Sequence, residues 1–301
     1  KVSDAVPRVR HMADLALSDP ARWRTERLPG HPDLGALSPS RAGDFTTCPL
    51  LYRFRTIDRL PEEPSEAAVR GTLVHGVLES LFDLPAADRI LANAVDLLPA
   101  AWDELLAKDP QAASVIAQPA TTPQWLHTAE PLLSRYFAME DPRLLQPAFR
   151  ELFVQTQLPD GPLLRGFIDR VDIADQAGVR IVDYKTGKAP SARFEQKAMF
   201  QLRFYGLMVW RVTGELPALL QLNYLGSGTF LRLAPDAEDL TLFEATLRTL
   251  WDSILSVHAT GDWQPRPGPL CAWCSFQHLC PAQGGTRPPR PQAQESGRLR
   301  T

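Results

Sequence analysis

Apolar positions along the chain follow two rhythms, and the change from one to the other divides it. Over residues 65–140 they recur at three and four, as in Val69, Leu73, Val77 and Leu81, which predicts helices. The stretches are SEAAVRGTLVHGVLESLF, then AADRILANAVDLLPAAWDELLA, then a third from about Pro123 to Met139. From residue 149 the period becomes two. FRELFVQTQL (149–158), LLRGFIDRVDI (163–173) and VRIVDYK (179–185) predict consecutive strands separated by the turn-like PDG and DQAG. Helical spacing returns from about Ser191 to Thr213, with Phe194, Ala198, Leu202, Tyr205 and Val209 in register. Two further strands, ALLQLNYL (218–225) and TFLRL (229–233), and a helix over 236–258 complete the pattern. Strands mixed with helices in this order predict an α/β core carrying a helical insertion.

The flanks read differently. Residues 1–37 are polar and proline-broken and predict a loosely packed N-terminal arm. LSPSRAGDFTTCPLLYRFRTI (37–57) predicts two short helices either side of Cys48-Pro49, and the proline- and arginine-rich residues 284–301 predict a disordered tail.

Composition changes this picture little. The 301 residues are 44% hydrophobic, enough for one large domain or two modest ones. A net charge of −3 does not announce a nucleic-acid partner, although a local basic groove can hide inside a neutral total. No run of eighteen apolar residues occurs and the first twenty residues lack a signal-peptide core, so a soluble, cytoplasmic protein without a membrane partner is expected. The GK at 187–188 follows Val182 where a P-loop needs glycine, so no nucleotide-driven motor is expected on this chain.

Alternation places candidate chemistry inside the sheet. Val179, Ile181, Asp183 and Lys185 share one face of their strand, and Phe167, Asp169, Val171 and Ile173 share one face of the preceding strand. Hairpin pairing across DQAG would bring Asp169 near Asp183. Two adjacent carboxylates in a partly desolvated place remain ionised only with a cation between them. Mg²⁺ or Mn²⁺ suits such oxygen ligands and supports phosphodiester hydrolysis. The plainer alternative is a strand-end ion pair of Asp183 and Lys185.

GFIDRVD (166–172) followed by IVDYKTGK (181–188) resembles the D…(D/E)xK core of the PD-(D/E)xK nuclease superfamily, specifically its RecB-like branch. The resemblance implies a restriction-endonuclease-like core, a central mixed sheet flanked by helices. It implies Asp169 and Asp183 as catalytic metal ligands, Lys185 as the catalytic lysine, and the carbonyl of Tyr184 as a further ligand. Gly71, Thr72 and His75 match that branch's G-T-x-x-H pattern, which makes His75 a metal ligand or else a structural helix histidine. Glu79 lies on the same helix face, as a ligand-supporting or a solvated acid, and Glu151 matches a family acid less closely. Gln201 and Tyr205, one helical turn apart, match a Q-x-x-x-Y element that contacts the substrate strand or supports the metal site, unless Tyr205 only packs in the core.

Four cysteines are too few for a disulfide scaffold in a chain this long. Cys271, Cys274 and Cys280 sit together and Cys48 lies far upstream. This one-plus-three spacing is similar to the iron–sulfur members of the same branch, including AddAB-type subunits and CRISPR adaptation nucleases. It implies a [4Fe-4S] cluster that staples distant segments, with zinc or free or paired thiols as the alternatives. The expected organisation is an arm over 1–37, one nuclease domain over 38–283 and a tail over 284–301. The domain comprises a helical region (65–140), a catalytic core (147–260), and a staple of Cys48 with 267–283.

The function expected from this resemblance is metal-dependent DNA hydrolysis, as an exonuclease on single strands or ends, in repair, recombination or foreign-DNA processing. Any helicase or repair partner would be another chain. Arg53, Arg55, Arg59 and Arg170 are candidates for phosphate contact, and Tyr52 and Phe54 for base stacking or core packing. A non-catalytic nucleic-acid-binding scaffold and a redox-sensing iron–sulfur protein are the other readings.

Overall fold

The computed structural model describes residues 20–23, 25–174, 178–191 and 195–289. The start of the arm, the first three residues of the DQAG turn, Phe194 at the head of the long helix, and the end of the tail therefore lie outside the described residues. Five strands form one mixed sheet in sequential order: β1 (Phe149–Gln157), β2 (Leu163–Ala174), β3 (Gly178–Lys185), β4 (Leu219–Tyr224) and β5 (Thr229–Leu233). β2 and β3 are antiparallel, in a register that runs from Ala174↔Gly178 to Arg170↔Val182. β3 and β4 are parallel and β4 and β5 antiparallel. A parallel neighbour needs a crossover helix, and residues 195–213 supply it.

The nine helices introduced here are α1 (Pro39–Thr47), α2 (Pro49–Tyr52), α3 (Glu66–Leu81), α4 (Leu91–Asp96), α5 (Leu98–Lys108), α6 (Thr122–His127), α7 (Glu130–Met139), α8 (Glu195–Thr213) and α9 (Ala237–Thr260). Two helices expected to be continuous are broken. Pro99 opens α5 and Pro131 opens α7, since a proline fits a helix's first turn but not its interior.

The chain divides into two compact units. The first holds residues 1–26, 64–154 and 167–240. Its core joins Val69, Leu73, Val77 and Leu81 of α3 to Trp102, Leu133 and Tyr136 of the helical region and to Val182 and Tyr184 of β3. Ser65 caps α3 by accepting a hydrogen bond from the Ala68 N–H at 3.2 Å. On the crossover helix α8, Gly206 faces Leu220 so closely that a Cβ would lie 2.8 Å from its Cδ1. That close approach seats α8 on β4.

The second unit holds residues 27–63, 155–166 and 241–301. Its core stacks Tyr52 on Trp263, with ring centroids 5.7 Å apart, and packs Phe54 against Phe276 at 5.3 Å. Tyr52 and Phe54 are buried, so of their two expected uses the structure shows core packing. Among the described residues no helix is long and apolar enough to cross a membrane.

Candidate active site

The site forms where β3 ends, within the first unit. Just beyond the β2–β3 register, the Tyr184 N–H donates to Asp169 Oδ2 at 2.6 Å. His75, on α3, brings Nε2 to 3.0 Å from the Tyr184 carbonyl oxygen and Nδ1 to 3.5 Å from Asp169 Oδ1. One nitrogen of His75 and one oxygen each of Glu151 and Asp169 lie within 4.8 Å of one another, a separation a single cation can bridge. Glu151 reaches this cluster from β1 with a left-handed backbone, φ 44°, a conformation that costs energy for any residue but glycine. Sequence matching had given Glu151 little weight. Its signal in the sequence was slight, an acid two positions from both Phe149 and Phe153.

Asp183 completes the acidic group and is 3% exposed. Its Oδ1 accepts a hydrogen bond from Gln201 Nε2 at 2.8 Å. Its Oδ2 is buried without an aligned hydrogen-bond donor and makes an ionic contact with Lys185 Nζ at 2.6 Å. Tyr205 lies one turn along α8, its hydroxyl 3.4 Å from Gln201 Nε2. Glu79 acts on the group at longer range, through its charge on Glu151.

The electrostatics are those of a place short of positive charge. Burial, and then the charge of Asp169, push the Glu151 carboxyl up to about 7. Burial and Asp169 also raise Asp183, against the pull of Lys185. Burial alone would lower His75, but its contact with Asp169 and the charges of Asp183 and Glu151 carry it up to about 9. An imidazole, three carboxylates and a backbone carbonyl fit a divalent cation that accepts oxygen and nitrogen ligands.

Three arginines expected at a phosphate lie elsewhere. Arg170 is 0% exposed on the opposite face of β2. It holds both oxygens of Glu140 (2.9 and 3.0 Å) and donates to the Tyr184 hydroxyl at 2.8 Å, so burial and these partners rule out the phosphate contact expected of it. In the second unit, Arg53 is buried against Asp58, and Arg55 is spent on Asp44 and Glu62. The fourth, Arg59, has a left-handed backbone with φ 50°.

The cysteines also lie in the second unit, all four free. Cys48 Sγ accepts a hydrogen bond from the Arg266 N–H at 3.3 Å, which brings it to the C-terminal cysteine segment across 218 residues. Cys271 Sγ accepts from the Gly268 N–H at 3.3 Å. Burial raises the Cys274 thiol, and Cys280 and Cys48 are close enough to raise it further.

Comparison with known proteins agrees with this geometry. Residues 36–281 match the PD-(D/E)XK nuclease superfamily, and the chain belongs to that superfamily. It is 26% identical over 279 residues to the Gene 69 protein of Mycobacterium phage D29, covering 81% of this chain and 96% of the phage protein. Identity to the Gene 69 protein of Mycobacterium phage L5 is 31% over 126 residues, 40% of this chain and 41% of that protein. The crystal structure of a candidate exonuclease from Eubacterium rectale shares the fold with TM-score 0.53 at 16% identity, over 79% of this chain and 86% of its own.

Proposed function

We propose that this chain is a Mg²⁺- or Mn²⁺-dependent deoxyribonuclease of the RecB-like branch, acting as an exonuclease on single strands or DNA ends. The observation that carries the proposal is the convergence of His75, Glu151 and Asp169 within 4.8 Å beside the Asp183–Lys185 pair. His75, Glu151, Asp169, Asp183 and the Tyr184 carbonyl would hold the ion, which supplies charge neutralisation at a scissile phosphate and a more acidic water. Lys185, one-third exposed, presents its ammonium to a phosphate and can stabilise the charge that gathers there. Gln201 holds Asp183 in one orientation, and Tyr205 backs Gln201. The label of exonuclease belongs to the Eubacterium rectale protein, and it supports the same activity here by analogy of fold.

The one-plus-three spacing of the cysteines, together with the action of Cys280 and Cys48 on the Cys274 thiol, supports a [4Fe-4S] cluster in the second unit. Backbone N–H donors to Cys48 and Cys271 are suited to thiolate sulfur in such a centre. Its role is to tie Cys48 to residues 271–280. Cleavage of DNA that stops with EDTA and returns with Mn²⁺ or Mg²⁺ tests the nuclease reading. Inactivity on every DNA form with either ion would reject it.

A further inference from the structure

On the face of β1 and β2 that carries Glu151 and Asp169, the next rung along is aromatic. Phe167 is two residues before Asp169, so alternation puts those two β2 side chains on one face, and Glu151 of β1 joins Asp169 there in the cluster with His75. Phe153 of β1 packs on Phe167: the ring centroids are 5.2 Å apart, tilted by 58°. Phe167 is 52% exposed, although sequence alternation had assigned it to an interior stripe with Val171. What sets this exposed ring apart is its place: it is braced by a second ring and lies one rung from the Asp169 carboxylate.

We infer that Phe167, braced by Phe153, stacks on an unpaired nucleobase next to the scissile phosphate, so that the site selects single-stranded DNA. This rests on the nuclease reading above and deepens it. Two residues of strand advance about 7 Å, the scale of one nucleotide, so a phosphate held at Asp169 and Glu151 places a neighbouring base at the rings. A phenyl face takes any base, because each base has a π-face, but a base paired within a duplex has both faces covered by its neighbours. The platform therefore confers strand selection without sequence selection.

The test measures binding of a fluorescein-labelled 12-nucleotide thymidine strand in Ca²⁺, with one abasic position moved along the strand. Wild type, Phe167→Ala and Phe167→Tyr are compared, with thermal melting of each as a folding control. Wild type should lose roughly tenfold in affinity at one abasic position. Phe167→Ala should lose a similar factor on the intact strand and be insensitive to the abasic site, and Phe167→Tyr should behave as wild type. If Phe167→Ala binds as wild type, or if its loss and the abasic loss multiply, the stacking role is wrong while the nuclease reading stands. If wild type does not bind the strand at all, the nuclease reading fails and the platform with it.

Discussion

Gln201 on α8 donates a hydrogen bond of 2.8 Å to Asp183 on β3, joining the crossover helix to the candidate metal site through one side chain. Gln201 on Oδ1 and Lys185 on Oδ2 together set where the buried Asp183 oxygens point, and Gln201 is the neutral partner of the two. Replacing Gln201 by Leu should lower kcat/KM for DNA cleavage by about 10- to 100-fold, as for other groups that orient metal ligands. Leaving the carboxylate without that bond should cost about 1–3 kcal/mol of stability. Steady-state kinetics together with urea unfolding checks both numbers.

The turn after Lys185 is equally constrained. The Gly226 N–H donates to the Gly187 carbonyl oxygen at 3.0 Å, and a Cβ on Gly226 would meet Gly187 backbone and lie 2.7 Å from the Thr186 oxygen. Backbone cannot rotate away as a side chain can. Gly226→Ala should therefore destabilise the protein by about 1–3 kcal/mol and displace the turn that fixes Lys185. Gly71→Ala should be milder, because its Cβ would meet only the rotatable Thr186 Oγ1, at 3.2 Å. Melting temperatures and cleavage rates of the two variants should rank in that order.

Glu140 gives the protein an acid-sensitive component. Burial would raise its carboxyl, but Arg170 and then Arg180 and Asn223 hold it below its ordinary 4.5. A carboxyl depressed in the folded state stabilises fully above its unfolded value, and that contribution is lost as pH falls through the folded value. Glu140→Gln leaves buried Arg170 with Asp172, at 3.2 Å, as its remaining carboxylate and should cost about 1–3 kcal/mol at pH 7. Urea unfolding across pH 3–7 should show the gap between wild type and variant closing only below about 4.5.

The cysteine centre has its own readout. Anaerobically purified protein should show the broad visible absorption of an iron–sulfur cluster, and Cys274→Ser should lose it. Tying Cys48 to Cys271 closes a loop of over two hundred residues, a constraint worth on the order of 5 kcal/mol if treated like a disulfide. Cys48→Ser should lower the unfolding midpoint accordingly. Stoichiometric zinc without visible absorption would replace the cluster by a zinc site.

Much of the fold was legible because strand alternation and helical spacing are local. The expected order of three strands, helix, two strands and helix is the order observed. Prolines at 99 and 131 were harder, since each continues the apolar rhythm while starting a new helix. Asp169, Asp183 and Lys185 were legible as a set because they share a face. What alternation cannot supply is the cover over each face. Arg170, polar and in the next position, looked free for phosphate, yet α7 ends at Met139 and the following Glu140 takes its charge. Phe167 looked interior and is exposed. Glu151 needed the third dimension, because its left-handed backbone turns it toward His75 in a way no periodicity encodes.

Cleavage of 5′- and 3′-labelled single-stranded and duplex DNA in Mn²⁺, with Asp183→Ala and Lys185→Ala alongside wild type, tests the central claim most directly. Wild type should release short labelled products from single strands. The Asp183 variant should lose at least a thousandfold in rate, and the Lys185 variant should lose a comparable factor while still binding the ion. Equal rates for wild type and the Asp183 variant would contradict the account.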